Sequence, residues 1–524
     1  MWNINTLQSA AQRRTPRRWR GVGSSVHFMG HFEKERTLIM NPRFSQSERF
    51  TRREALKRAG GGLGMLGLAS LLNDEGLLVP DAGAAVSGDP LAPRASHFGG
   101  AKSVIWLFIN GGPSHVDTFD YKPELEKADG KELEGFDRFT GFFANSVGPL
   151  MKSPFEFRQY GQCGKHVSSL FPGLSRHVDK MAFVHSGHTE SNNHSPALFM
   201  MNCGQPRMGL PCVGSWATYG LGSESRNLPA FCVMSDPLDR GLPKGHAANW
   251  GAGFLPSVFQ GTWLKPKGDA IDNLYRPGHM NEAQQRRQLD LLARMNRRHL
   301  DARAEEAELA ARIESFELAY RMQSAAPEAI DIDSEPDHIK RLYGVGEKRC
   351  DHFARQCLTA RRLVERGVRF VQIYSGGMEN QRSWDGHKDI KGNHSQFAGE
   401  TDTPISGLLS DLEQRGLLDE TLVIWGGEFG RLPVAQKGKQ PGRDHNPHAF
   451  TSWMAGGGVK GGVSYGETDE VGHKAAVDKV HVNDLHATIL HLLGMDHLKL
   501  TYMYNGRRFR LTDVGGKVIE KIVG

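Results

Sequence analysis

The chain has 524 residues, with Lys+Arg 65 against Asp+Glu 59, a formal net charge of +6 and a pI near 8.9. With 39% hydrophobic and 24% charged residues it has the make-up of an ordinary globular body, which excludes a disordered chain and a membrane-embedded bundle. Residues 1–58 hold 13 Lys/Arg and four Asp/Glu, so the remaining 466 carry a formal −3, which excludes a basic nucleic-acid-binding body.

The front end reads as an address. Arg52-Arg53 stands just ahead of an apolar run from Ala59 to Leu72 that has five Gly in 14 positions. That run is too short to span a bilayer and too Gly-rich for a good surface helix. A twin arginine before such a run predicts export by the twin-arginine machinery, to the periplasm or the cell surface. Ala82-Gly83-Ala84 offers a cleavage site, and Met40 an alternative start. Cutting after Ala84 leaves 52 residues of each charge sign, so the basic pI belongs to the leader. The expected division is 1–84 as extension and signal, and 85–524 as one α/β domain. Nothing else in the sequence is long and apolar enough for an integral membrane span. Six cysteines without metal-type spacing leave room for one or two disulfides in an oxidising compartment.

Apolar runs with strand character follow at Ser103–Ile109, Met181–His185, Ala230–Met234, Arg369–Tyr374, Thr421–Trp425 and Thr451–Ala455. Helical stretches such as Phe353–Arg366 and Ile405–Arg415 alternate with them. Continuous apolar strands between helices predict a mostly parallel sheet covered on both faces, an α/β/α sandwich with ligands beyond the carboxyl ends of the strands. From Met280 to Met322 the composition turns charged, with no Gly or Pro. It predicts a long helix or helical hairpin inside an insertion at 265–345, serving as a lid, an insertion or a partner face.

The strand ends carry the polar residues. Asn110-Gly111-Gly112-Pro113-Ser114-His115-Val116-Asp117 follows the first strand, and His185 to Pro196 continues the second, with a helix expected to start near Ser195. Trp384-Asp385-Gly386-His387, Gly427-Glu428-Phe429-Gly430-Arg431 and Arg443-Asp444-His445-Asn446-Pro447-His448 lie beyond later strands or in loops. Imidazoles and carboxylates gathered on one sheet edge suit one or two divalent ions, with Zn, Mn and Ca all open.

Arg52-Arg53, Leu107 to Asp120, Trp384 to His387, Gly427 to Arg431 and Asp444 to His448 together resemble the exported family known as domain of unknown function 1501. That family is placed with the alkaline phosphatases and sulfatases. The resemblance runs from about Lys102 to the C-terminus. It implies an alkaline phosphatase-like sandwich and a metal-dependent hydrolase of phosphate or sulfate esters, small-molecule or polysaccharide. It further implies Asp385 and His387 as ligands of one ion with His445 or His448, Glu428 at a second, and Asp117 as a carboxylate near the first strand. Asn110 stands where the superfamily has its first Asp, and Phe429 where it has a His, so a single-metal site is open. Ser195, with His194 beside it, aligns with the nucleophile position, and Ser195 equally suits a helix cap. Arg431 and Arg443 suit an oxyanion. The sulfatase maturation pattern is missing from that segment. The competing reading is a catalytically silent binding or cell-surface protein on the same fold.

Overall fold

The computed structural model describes residues 89–524 apart from 273 and 302–306, so the expected leader with Arg52-Arg53 lies outside the described residues. Nine strands form one sheet: β1 (Ser103–Ile109), β2 (Met181–His188), β3 (Phe231–Met234), β4 (Thr262–Leu264), β5 (Phe370–Ser375), β6 (Thr421–Gly426), β7 (Phe450–Ala455), β8 (Val463–Tyr465) and β9 (Val480–His481). Their order is β8-β2-β7-β6-β1-β5-β3-β4, with β9 also paired to β2. All pairings are parallel except those of β7, which runs against both β2 and β6.

Every residue of β1 is buried, as a strand covered on both faces requires. Its alternate side chains divide between two cores. Ile105, Leu107 and Ile109 enter one, and Val104, Trp106 and Phe108 the other. Helices cover each face: α1 (His194–Cys203), α2 (Val213–Leu221), α3 (Glu282–Asp301), α4 (Ala307–Ile330), α5 (Asp351–Glu365), α6 (Ile390–Gln414) and α7 (Val482–Leu492). α5, α6 and the end of α4 supply the first core through residues such as Leu358, Phe397, Leu408 and Ala329. α1, α2 and α7 supply the second through Leu198, Trp216 and Ile489. The expected three-layer α/β/α sandwich is thus present.

Register sets up the site. Ile109 of β1 lies beside Ser375 of β5, and Phe108 beside Gly426 of β6, so the chain leaves three adjacent strands at one level. Phe450, at the start of antiparallel β7, pairs with Gly187 near the end of β2. The segment before β7 therefore reaches the same edge as the carboxyl ends of the parallel strands.

The charged insertion is a hairpin of α3 and α4, joined by Arg286, which bonds Glu317 at 2.7 and 3.0 Å. Met322, Ala326 and Ala329 anchor it in the core. The six cysteines are all free, five of them buried, so the disulfides that the sequence admitted do not form. Among the described residues, no helix is long and apolar enough to cross a membrane.

Candidate metal centre

Beyond β1 the backbone turns through Gly111 and Gly112, at φ +104° and +76°. A Cβ on Gly111 would lie 2.5 Å from Ser383 Oγ, so only glycine fits there. The turn aims Gly111 N at Glu428 Oε1, 2.9 Å away at the end of β6. Asn193 caps α1 by accepting from Ser195 N, which makes His194 the first helical residue. Asp385 sits in a loop where Asn380 and Gln381 both have positive φ, and Asn380 N donates to Asp385 Oδ2 at 2.6 Å. Trp384 locks that loop to the sheet by donating its N–H to Asn110 O and its indole N–H to Ser375 Oγ.

Three imidazoles converge on Asp385. His387 Nε2 and His445 Nε2 lie 3.0 and 3.3 Å from Oδ1, and His194 Nε2 lies 3.4 Å from Oδ2. Each ring directs Nδ1 to an acceptor outside this group: Gln436 Oε1 at 2.8 Å for His387, Asn192 O at 2.6 Å for His445, and Glu428 Oε1 at 2.8 Å for His194. A neutral ring that donates through Nδ1 carries its lone pair on Nε2. With all three rings in that form, the Nε2 lone pairs and the carboxylate would be a set of acceptors that a cation satisfies. Outer hydrogen bonds of this kind orient histidine ligands in metal sites. His194 Nε2 is buried and has no hydrogen-bond partner among the described residues. The ligand atoms of His194, Asp385 and His445 lie within 4.8 Å of one another, as do those of His387, Asp444 and His445. Two overlapping trios sharing His445 fit one or two divalent ions.

The electrostatics favour that fit at Asp385 and His445 and oppose it at His194. Burial opposes ionisation of Asp385, but the Arg431 guanidinium and the imidazole bonds outweigh it and hold the carboxyl far below its usual range. Burial, with His194 beside it, keeps His445 neutral and available as a ligand. Burial also disfavours charge on His194, yet the Asp385 and Glu428 carboxylates raise it to about 9, so without an ion this ring is protonated and a metal would have to displace its Nε2 proton. Two carboxylates are drawing positive charge onto that ring.

The sequence-predicted residues divide cleanly. Asp385, His387, His445, Glu428 and His194 come together, while Asp117 does not join them. Its carboxylate accepts from Ser114 Oγ at 2.6 Å and from Arg443 Nε at 2.6 Å and Nη2 at 3.2 Å, a fully buried ion pair with no face left for a metal. Arg443 spends its other donors on the carbonyls of Leu432, Pro433, Met151 and Lys152, so it braces the loops and does not clamp an oxyanion. Arg431 likewise faces inward, bonding Gly111 O, Gly112 O, Arg443 O and Asp385 Oδ1 at 2.7 Å. It positions Asp385. His448 is exposed, belongs to neither trio and stacks edge-on towards His473. Ser195 is half-buried, does not cap α1, and its hydroxyl bonds none of the cluster residues. Phe429 packs its ring 4.5 Å from that of His445.

Asp444, Asn192 and Gln436 are the partners that sequence reasoning missed. Asp444 was visible as a neighbour of His445; the other two had no local signal. Asp444 Oδ2 also accepts from Phe143 N at 2.6 Å, and Asn192 Nδ2 donates to Thr140 O and Gly141 O at 3.0 and 2.9 Å. These bonds pin a loop whose Phe139, Phe142 and Phe143 are 66%, 50% and 41% exposed. Phe143 stands edge-on to His387 at 4.9 Å, and Phe142 lies 5.8 Å from His445. An apolar wall thus stands beside the cluster.

The family model described as "Protein of unknown function (DUF1501)" matches residues 101–523. The chain belongs to that family. No curated protein matches it. Among solved structures, it is similar to lipoteichoic acid synthase LtaP from Listeria monocytogenes, at 8% identity and TM-score 0.31 over 78% of this chain and 74% of that one. It is also similar to the alkaline phosphatase of the Antarctic bacterium TAB5, at 10% identity and TM-score 0.28 over 72% and 96%. A third is the phosphonate monoester hydrolase of Silicibacter pomeroyi, at 12% identity and TM-score 0.31 over 67% and 73%.

Proposed function

We propose that this DUF1501 protein is an exported, metal-dependent hydrolase of phosphate or sulfate esters. The observation that carries the reading is the convergence of three histidine Nε2 atoms on Asp385, each ring held from behind through Nδ1. His194, Asp385 and His445 would hold one ion, and His387 and Asp444 with His445 a second. A divalent ion held there would supply Lewis-acid polarisation of the ester. Arg431 keeps Asp385 ionised and oriented, Glu428 fixes the tautomer of His194, and Asn192 fixes that of His445. Of the two nucleophiles the sequence suggested, Ser195 and water, the geometry favours water, because among the described residues Ser195 bonds through its backbone N to Asn193 Oδ1 and its hydroxyl has no hydrogen bond to a base. The Phe142–Phe143 wall offers apolar surface to the alcohol part of a small-molecule or polysaccharide ester.

Elemental analysis of the purified protein, with an aryl phosphate and aryl sulfate panel on wild type and Asp385→Asn, tests this. Stoichiometric metal and turnover in wild type, both lost in the variant, support it. Metal without turnover on any ester would favour the catalytically silent reading, for which Phe429 speaks. Export is tested by Arg52→Lys/Arg53→Lys, which is expected to hold the protein in the cytoplasm.

A further inference from the structure

A second polar cluster lies outside the metal centre and shares no residue with it. Lys165 opens the second strand of the hairpin formed by Phe157–Tyr160 and Lys165–Ser168. Its Nζ donates to His185 Nε2 and to Ser464 Oγ at 3.1 Å, and it sits 4.6 Å from the centre of the Phe183 ring. Both bonded partners are neutral. His185 receives Lys165 at Nε2 and faces Thr451 Oγ1 with Nδ1 at 3.1 Å, and burial pushes it down to about 3.

Among the described residues no carboxylate pairs with Lys165. Asp120, the carboxylate that acts on it through space, is engaged by Lys122 Nζ at 3.2 Å and by Thr468 Oγ1 at 2.5 Å. Lys122 offsets part of the pull of Asp120, which leaves the charge on half-buried Lys165 only partly compensated and without an ion-pair partner. Burial accordingly pushes its ammonium down to about 8. A cation partly withdrawn from water without an ion-pair partner is disfavoured, and a bound anion relieves that cost.

There is room for one. Lys165, His166 and Ser464 line both a pocket of about 160 Å³ and an adjoining one of about 310 Å³. The smaller pocket is completed by Cys163, Gly164, Phe183, Gly462 and Val463 and has no acidic residue in its wall. The larger one includes Asp120, Glu467 and Asp478, which repel an anion. A cation, a hydroxyl and an imidazole around an acid-free hollow are the donor set of an oxyanion site.

We propose that the smaller pocket at Lys165 binds a small oxyanion, a phosphate, sulfate or carboxylate group, independently of the metal centre. Lys165 supplies the charge, Ser464 and His166 supply further hydrogen bonds, and His185 holds the ammonium in place as a neutral acceptor.

Isothermal titration of the full chain at pH 6.5, with inorganic phosphate, sulfate and acetate in separate arms at constant ionic strength, tests the proposal. Wild type is expected to take up one of these anions. Lys165→Met is expected to weaken that uptake about tenfold or more, and Ser464→Ala several-fold. Asp385→Asn is expected to leave it unchanged, which separates this site from anion binding at the metal centre. In anion-free buffer Lys165→Met is expected to melt no lower than wild type, since it removes a charge without a partner. Uptake unaltered in Lys165→Met, uptake abolished by Asp385→Asn, no uptake of any of the three anions, or a lower melting temperature of Lys165→Met without anion would each overturn it.

Discussion

The Asp385 cluster and the Lys165 pocket are incomplete in opposite senses. Around Asp385 the chain gathers carboxylates and imidazole lone pairs against one guanidinium, Arg431, whose donors are largely committed to backbone carbonyls. Around Lys165 it gives an ammonium only neutral hydrogen-bond partners. A third region shows what closure looks like. Arg240 bonds Asp236 and Glu400, and Glu400 also meets His352 and Gln396, so that every charge has a partner from the chain itself. The contrast teaches that buried charge is unremarkable when it is internally balanced. Imbalance, with an orphaned ring nitrogen or an unpaired ammonium, is what points to a ligand.

The comparison can be broken most severely at Arg431. Arg431→Met leaves Asp385 buried without its main counter-charge and is expected to cost about 3–5 kcal/mol of stability in chemical denaturation. Added divalent metal is expected to recover much of that loss, and recovery by metal is the part that would sink the cluster reading if it failed to appear. Next in size is Asp385→Asn, which keeps the shape but removes the carboxylate shared by all three rings. Metal content is expected to fall below stoichiometry and ester turnover by about 100-fold or more, read by elemental analysis and steady-state kinetics.

The self-balanced network supplies the control. Burial opposes ionisation of Glu400, but its bonds to His352 and Arg240 win and lower it from 4.5 to about 2. A depressed carboxyl contributes stability that is complete above its unfolded value and is lost as pH falls through its folded one. Denaturation midpoints of wild type are therefore expected to drop between pH 4.5 and about 2, by on the order of 2 kcal/mol from this group. Glu400→Gln is expected to flatten that limb, without change on adding metal or phosphate. The smallest effect belongs to the aromatic wall. Phe143→Ala is expected to raise KM for an aryl ester about tenfold while leaving a methyl ester unchanged, a split that kinetics with the two substrates would read. Equal effects on both would assign Phe143 to packing around His387.

Much of the fold was legible because buried strands are continuous apolar runs. β1 appears where expected to the residue, and β5, β6 and β7 within one residue at either end. α6 was less legible. The sequence suggested a helix only from Ile405, after Pro404, whereas α6 starts at Ile390, capped by the Asp389 side chain on Gly392 N at 2.9 Å and held by Phe397 in the core. Packing overrode local propensity there. In the site, Asp385, His387, Glu428 and His445 stood out as polar residues beside apolar strands. Asp117, Arg443 and His448, which lie outside the Asp385 cluster, had the same local signature, and only their partners across the fold distinguish them.

Sequence alone therefore determined the layered α/β architecture, the family and the segments that carry the chemistry, because these depend on short-range apolar patterning and local motifs. Tertiary structure alone decided which of those segments meet. β7 runs antiparallel, and that direction delivers His445 to the carboxyl edge of its parallel neighbours; a parallel strand would have left the same residue at the opposite edge. Partners such as Asn192 for His445, Arg443 for Asp117 and His185 for Lys165 lie 253, 326 and 20 residues apart in the chain. Charge balance is a property of such long-range neighbours, so a sequence can name the charged residues while only the folded chain shows which of them remain unpaired.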